Sequence, residues 1–433
     1  MSNTAETQAD TRPDWLRLDN AATIYPSTAS EESPAEFRLG FTLQRPVRLL
    51  WLQRALERVM PRFPYFQVTL RRGFFWYYLQ RTPEIPQVEL LQNVPATVIS
   101  IKERSAPLLR VSARGRTVAV DFSHIITDGN GGMRFLMTLA AEYLRQSGGE
   151  IPTGGNVMDL DEEPRPEEFE DAHRKSFPES RGTPENPAPA YHIADRPFSS
   201  RRFRAFRGMM PADAVVSLAR QRGVTLTEYL AALYMYSLEQ IYHRELRERR
   251  KQKYSMIRLE VPVDMRRYYP SMTMRNFSLY ISPEVDPGLG KYSFEELLTQ
   301  VHHSMRLLKS KRELGRQISR NVGSELNPFV RFMPLFIKDI FLSAVHSRFG
   351  EAIHSGVLSN LGRVTVPEEL ERQLDEVFFD LNPDHVMKKG CAVVSFGGAL
   401  QVTLTSVVES TEFERLFFTH LTRRGVPVSL KEY

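Results

Sequence analysis

Phe37, Leu39, Phe41 and Leu43 alternate with polar or small residues, the period-two pattern of a strand with one buried face. Leu50, Leu52, Ala55, Leu56 and Val59 recur instead at helical spacing, and the pattern stops at Pro61. Phe66–Leu70 and Phe74–Leu79, joined at Arg71-Arg72-Gly73, read as a β-hairpin. Leu108–Ala113 and Thr117–Phe122, joined at Arg114-Gly115-Arg116, read as a second. Met133–Arg145 reads as an apolar helix, and Trp15–Leu18 as a short strand or docked arm.

The pattern lapses over residues 151–190, which hold seven prolines and an acidic block from Asp159 to Asp171. Too few apolar residues are present there to pack a core, so a crossover linker is expected. Strands and helices then resume. Phe203–Met209 reads as a strand and Asp213–Gln221 as a short helix closed by Gly223. Thr225-x-x-Glu228 has the form of a capping box opening a long helix. Ile257–Val263 reads as a strand and Phe294–Leu308 as an amphipathic helix. Gly397-Gly398, set between Val393–Phe396 and Leu400–Thr405, is a two-residue hairpin turn. The expectation is a mixed α/β protein with a first half over 12–150, a linker over 151–190 and a second half over 191–433.

With 433 residues, 42 % of them hydrophobic and 25 % charged, the composition is that of a globular protein with ample core. A single cysteine, Cys391, excludes an internal disulfide framework and a cysteine-rich metal site, and suits a reducing compartment. The start of the chain lacks the pattern of a signal peptide, and no apolar run reaches the length of a membrane span. A cytoplasmic protein without a transmembrane segment is expected. The net charge of +5 is spread out, with denser spots at Arg201-Arg202-Phe203-Arg204 and from Arg244 to Lys253. No nucleic-acid motif accompanies them, so nucleic acid is not an expected partner.

One segment carries chemistry. Val118–Phe122 is an apolar strand that runs through Ser123 into His124, then Asp128, then a glycine-rich stretch ahead of the helix at Met133. A histidine at a strand end, followed by backbone that can approach closely, is placed to act as a base with a neutral imidazole. His302 and His303 supply no second ligand pair, so no metal is expected. A nucleophile elbow, a P-loop and a dinucleotide-binding glycine turn are all absent from the sequence.

Ser123-His124-Ile125-Ile126-Thr127-Asp128-Gly129 resembles the His-His-x-x-x-Asp-Gly motif of the chloramphenicol acetyltransferase-like acyltransferases, which include condensation domains and alcohol O-acetyltransferases. Pro262-Val263-Asp264-Met265-Arg266 with Asn276-Phe277, and Ser359-Asn360-Leu361-Gly362, resemble two later segments of that superfamily in order and spacing. The resemblance covers most of residues 12–430. It implies two α/β halves forming a pseudo-dimer around a central tunnel. It implies His124 as the general base that activates an alcohol or amine against a thioester. It assigns Asp128 to holding the loop, with Arg266 as its partner through a bidentate pair, and Gly129 to a tight turn. Asn276, Ser123 and Asn360 become candidates for the tunnel wall, Asn276 also for steadying an oxyanion.

No bound cofactor is implied; acyl-CoA enters as co-substrate, with an acyl carrier protein as the alternative donor. The acceptor would be a small-molecule or lipid-like alcohol or amine. Ser123 stands where the doubled motif has its first histidine, a histidine that alcohol acetyltransferase and plant BAHD relatives also dispense with. The Asp-Phe-Gly-Trp-Gly segment of the plant enzymes has no counterpart, Val377-Phe378-Phe379-Asp380 lying near its place without the glycines. With no carrier or adenylation module in the sequence, a free-standing enzyme is expected. A non-catalytic binding protein that keeps the motif as a relic is the opposing reading. Asn327–Phe349, dense in phenylalanine, isoleucine and leucine, is expected as a core helix or tunnel cover, with a membrane-surface helix as the alternative.

Overall fold

A computed structural model describes residues 14–30, 34–92, 106–177, 187–198, 203–250, 252–345, 351–382 and 385–433. Arg201, Arg202 and Lys251 of the basic spots, 178–186 of the expected linker and 346–349 of the apolar segment lie outside these residues. Two hydrophobic cores organise the rest.

The first lobe is built on a five-stranded sheet. Its strands are β2 (Glu36–Leu43), β5 (Glu89–Leu90), β6 (Leu109–Arg114), β7 (Thr117–Ser123) and β13 (Leu374–Leu381), in the order β13-β2-β7-β6-β5. Helices α2 (Leu49–Val59) and α3 (Gly129–Gln146) pack together beside it. A smaller sheet holds β1 (Trp15–Arg17), β3 (Val68–Arg72) and β4 (Tyr77–Arg81), with β4 central. Short helices α1 (Tyr25–Thr28) and α4 (Ala172–Lys175) lie in the connections.

The second lobe carries an eight-stranded sheet. Its strands are β8 (Arg204–Pro211), β9 (Ile257–Asp264), β10 (Ser278–Ile281), β11 (Glu284–Val285), β12 (Gly356–Arg363), β14 (Lys389–Phe396), β15 (Ala399–Ser406) and β16 (Ser429–Glu432). They run β10-β9-β12-β14-β15-β8-β16, with β11 also on β9. β12 is parallel to both its neighbours. Helices α5 (Ala212–Arg220), α6 (Leu226–Arg247), α7 (Phe294–Leu308) and α12 (Glu412–Thr422) pack with this sheet, followed along α7 by α8 (Lys311–Leu326). The remaining helices are α9 (Pro328–Phe332), α10 (Leu335–Val345) and α11 (Glu368–Glu371).

Local rules account for most of these elements. Thr225 and Glu228 form the capping box of α6. Gly397 and Gly398 take φ of +55° and +79° between β14 and β15, the left-handed pair that a two-residue hairpin turn requires. β14 is buried on both faces. Its alternation sends Cys391 and Val393 into the second core and Ala392, Val394 and Phe396 into the first, so one strand seals both lobes.

Three expectations change in detail. The glycine-rich stretch before Met133 is not a turn, because α3 already starts at Gly129, with Asp128 as its N-cap. Val377–Asp380 belongs to β13, which leaves the second half of the chain to pair antiparallel with β2. From there Asp380 forms a buried bidentate pair with Arg207 of β8, whose guanidinium lies 3.9 Å from the Phe378 ring centroid. Residues 327–345 are not a core helix. Pro334 cannot continue a helix, Met333 before it is extended, and the segment splits into α9 and α10 with Phe329, Phe332 and Phe336 in solvent. No helix among the described residues is long and apolar enough to cross a membrane.

Part of the acidic stretch is anchored by buried charge. Glu168 accepts two hydrogen bonds from the Arg62 guanidinium at 2.7 and 2.8 Å and a third from the Tyr65 hydroxyl at 3.1 Å. Both members of the ion pair are almost wholly enclosed. Glu168→Ala strands the Arg62 charge, and a loss of ~3–5 kcal/mol in urea-unfolding free energy is expected. Replacing the exposed Asp161, which pairs with Arg58 at the surface, should change it by less than ~1 kcal/mol.

Candidate active site

Strand β7 ends at Ser123, and the next residue, His124, donates its backbone N–H to the Ala35 carbonyl just before β2. The imidazole is thereby fixed at the end of the central strand β7, half-buried. Its ring stacks on Tyr25 of α1, with centroids 5.4 Å apart and planes 17° from parallel, and leans against Phe37 at 4.6 Å. Burial holds the imidazole below the ordinary value of 6.5, an effect the Asp128 charge opposes only in part. The ring is therefore neutral at pH 7, the form that can accept a proton.

Asp128 faces away from that task. Its Oδ1 accepts the backbone N–H groups of Asn130 and Gly131 at 3.1 and 3.2 Å, capping α3. Its Oδ2 accepts Nη1 of Arg266 at 2.8 Å and the backbone N–H of Phe277 at 2.9 Å. Burial alone would raise the carboxyl; Arg266 and the backbone donors outweigh it and hold the group below the usual carboxylate range.

The ion pair between Asp128 and Arg266 is single rather than bidentate, because the arginine divides its donors. Nη1 also reaches Asp264 at 3.1 Å, while Nη2 donates to the carbonyls of Thr273 and Arg275 at 2.9 and 2.7 Å. One guanidinium thus shapes the 264–275 loop and clamps it to the histidine loop.

Gly129 has a different reason from the expected turn: a Cβ there would strike the Leu361 side chain. At Gly131 a Cβ would run into the Met274 carbonyl and the Thr127 hydroxyl, so the start of α3 can meet the other lobe only without a side chain. Thr127 Oγ1 donates to that same Met274 carbonyl at 2.7 Å.

Asn276 is buried, and its amide donates to the His124 carbonyl at 2.7 Å and to Asp19 at 3.1 Å. Those bonds make it a support for the histidine backbone and leave no amide proton directed at a reacting oxygen. Ser123 is fully buried, its hydroxyl accepting from the Ile125 N–H at 3.3 Å. Asn360 is half-buried and tied to Thr227 and Gly362, beside the Leu361 that meets Gly129. His124, Asp128, Gly129, Arg266 and Asn276 therefore converge, whereas Ser123 and Asn360 act around them. Asp19 and Tyr25 also belong to the site; they sit in a non-periodic stretch after β1, where the sequence carries no signal for them. Among the described residues, no group of histidine, cysteine and carboxylate side chains could hold a metal ion.

No family model matches the chain, and no curated protein matches its sequence. Solved structures do match. Polyketide synthase associated protein 5 from Mycobacterium tuberculosis superposes with a TM-score of 0.59 at 13 % identity, over 95 % of this chain and 98 % of that one. TRI3 trichothecene 15-O-acetyltransferase from Fusarium sporotrichioides gives 0.57 at 12 %, over 95 % and 94 %. The condensation domain of the monacolin K polyketide synthase MokA gives 0.57 at 10 %, over 95 % and 96 %. The chain has the chloramphenicol acetyltransferase-like fold. At these identities the likeness is one of fold, and the chemistry has to be argued from the site.

Burial also places His192, His354 and His420 below 6.5, the last two at about 3. As pH falls through 6.5 the unfolded chain therefore binds protons that the folded chain refuses. Unfolding free energy should decline between pH 7 and pH 5, measured by urea titration at fixed ionic strength. A flat or rising profile would contradict the neutral, enclosed state of these rings.

Proposed function

We propose that this chain is an acyltransferase that moves an acyl group from a thioester to a hydroxyl or amine, with His124 as general base. The observation that carries the reading is the neutral, half-buried His124 ring at a strand end, its main chain held from the opposite lobe by Asn276 and its loop by Arg266. That arrangement fixes where a proton acceptor stands, and little else in the site can accept one, because the Asp128 carboxylate is already engaged by four N–H donors.

In the reaction, a ring nitrogen of His124 takes the proton of the acceptor O–H or N–H as that atom bonds to the thioester carbonyl carbon. The C–S bond then breaks, and the imidazolium returns its proton to the departing thiolate. The chain's contribution is alignment and a correctly placed base. Steadying of the oxyanion falls to groups other than the Asn276 amide.

Coenzyme A is the proposed donor, entering as a co-substrate, with a carrier-protein thioester as the second candidate because condensation domains share the fold. The acceptor class is a small or lipid-like alcohol or amine, in the cytoplasm. TRI3, an O-acetyltransferase by name, supports the hydroxyl acceptor.

Free-thiol release from acetyl-, medium-chain and long-chain acyl-CoA, with pooled alcohols and amines, tests the reading. Acceptor-stimulated release should fall by ~10²–10⁴ in a folded His124→Ala variant. The acid limb of kcat/KM should lie below pH 6.5, following the lowered imidazole. Equal release by wild type and variant, with acyl-CoA and with acyl carrier protein, would leave a binding role in place of catalysis.

A further inference from the structure

α10 is amphipathic in the reverse of the usual sense. Its inward side places Lys338 and Leu335 against the hairpin between β3 and β4, and its outward side carries Phe336, Ile337 and Ile340. Lys338 is buried: Nζ donates to the Phe75 carbonyl at 2.8 Å and stands 3.2 Å from the Trp76 ring centroid. Asp339 is neutralised by Arg72, with Ser27 and Tyr77 as further donors. The charges of this helix are thus spent on holding it to the body of the protein, while Phe336, Ile337 and Ile340 face water.

The exposed surface continues beyond α10. On α9, Phe329 is 85 % exposed and Phe332 68 %, and Ile340 on α10 is 70 % exposed. The hairpin tip adds Phe74, also 70 % exposed, whose carbonyl accepts the Leu335 N–H and so fixes the tip beside α10. Single exposed apolar residues are ordinary, but phenylalanines and isoleucines gathered from two segments mark an interaction surface.

We infer that α9, α10 and the β3–β4 tip form a docking surface for an anionic lipid bilayer. Charge complementarity selects this occupant. Arg72 offsets Asp339, which leaves exposed Arg331 and the buried Lys338 as the positive charges of residues 326–342. Exposed Arg331 lies on the same short helix as Phe329 and Phe332. Aromatic side chains beside cationic ones are the combination that inserts into the headgroup and acyl boundary of a membrane with negative surface charge.

The position matters as well as the composition. α10 packs on α1, and α1 carries the Tyr25 ring that stacks on His124. A bilayer seated on α10 would lie one helix away from the histidine. The inference rests on the surface itself and does not require the acyl-transfer reading to hold.

The test is flotation of the full chain with vesicles of phosphatidylcholine and phosphatidylglycerol, and with vesicles of phosphatidylcholine alone. Wild type should float with the anionic vesicles and several-fold less with the neutral ones. A Phe329→Ser, Phe332→Ser, Phe336→Ser variant should lose more than ~10-fold of the bound fraction. Its melting temperature should stay unchanged, since these side chains are in solvent. Leu289→Ser with Leu307→Ser, at exposed positions elsewhere, should float as wild type does. Wild type that remains unbound with both vesicle types, or a triple variant that floats equally well, overturns the proposal. So does a wild-type dimer that stays off vesicles and dissociates in the triple variant, which would assign the face to a second copy of the chain.

Discussion

The Asp128 carboxylate is the interaction on which the site depends. It caps the first turn of α3 with one oxygen and holds the opposite lobe with the other, through Arg266 and the Phe277 backbone. A buried carboxylate is costly unless its lone pairs are satisfied, and here four donors from two lobes satisfy them. Removing either side of the contact would leave charge stranded, so the helix start, the histidine loop and the 264–277 loop are constrained together. Gly131 is part of that constraint, since the Met274 carbonyl occupies the space a side chain would need.

The same dependence between lobes recurs in the sheets. β14 sends alternate residues into each core, and β13 joins the first sheet from late in the chain. Asp380 on β13 then binds Arg207 on β8. The first lobe does not complete its core or sheet without strands from late in the chain, which gives the histidine at the junction a firm frame. A side chain that has to be held within a fraction of an ångström benefits from such a frame.

The chemistry and the surface follow opposite electrostatic arrangements. At His124, enclosure by Tyr25 and Phe37 keeps the imidazole neutral while Asp128 is turned elsewhere. At α10, polar groups are drawn inward and apolar ones left outside. Burial lowers Lys338 to about 8, with the ammonium against the Trp76 ring and the Phe75 carbonyl. In both places burial decides the state of a titratable group, and local geometry decides what that group touches.

Much of this was legible in the sequence. Periodicity gave α2, α7, both first-lobe hairpins and the Gly397-Gly398 turn, because those elements are set by local spacing and by backbone requirements within a few residues. The histidine motif and its partner segments were legible for the same reason, as short strings with fixed order. Other features depended on residues far apart in the chain. The sequence could not show that Asn276 would turn its amide to the His124 carbonyl, that Arg266 would divide its donors, or that Asp19 and Tyr25 would enter the site. Nor could apolar density in 327–345 distinguish a core helix from an exposed one, since hydrophobicity states a preference for burial and not whether a partner is present. Local sequence determined the elements and the candidate base; tertiary packing decided which donors met Asp128, which strand closed each sheet and which apolar face was left uncovered.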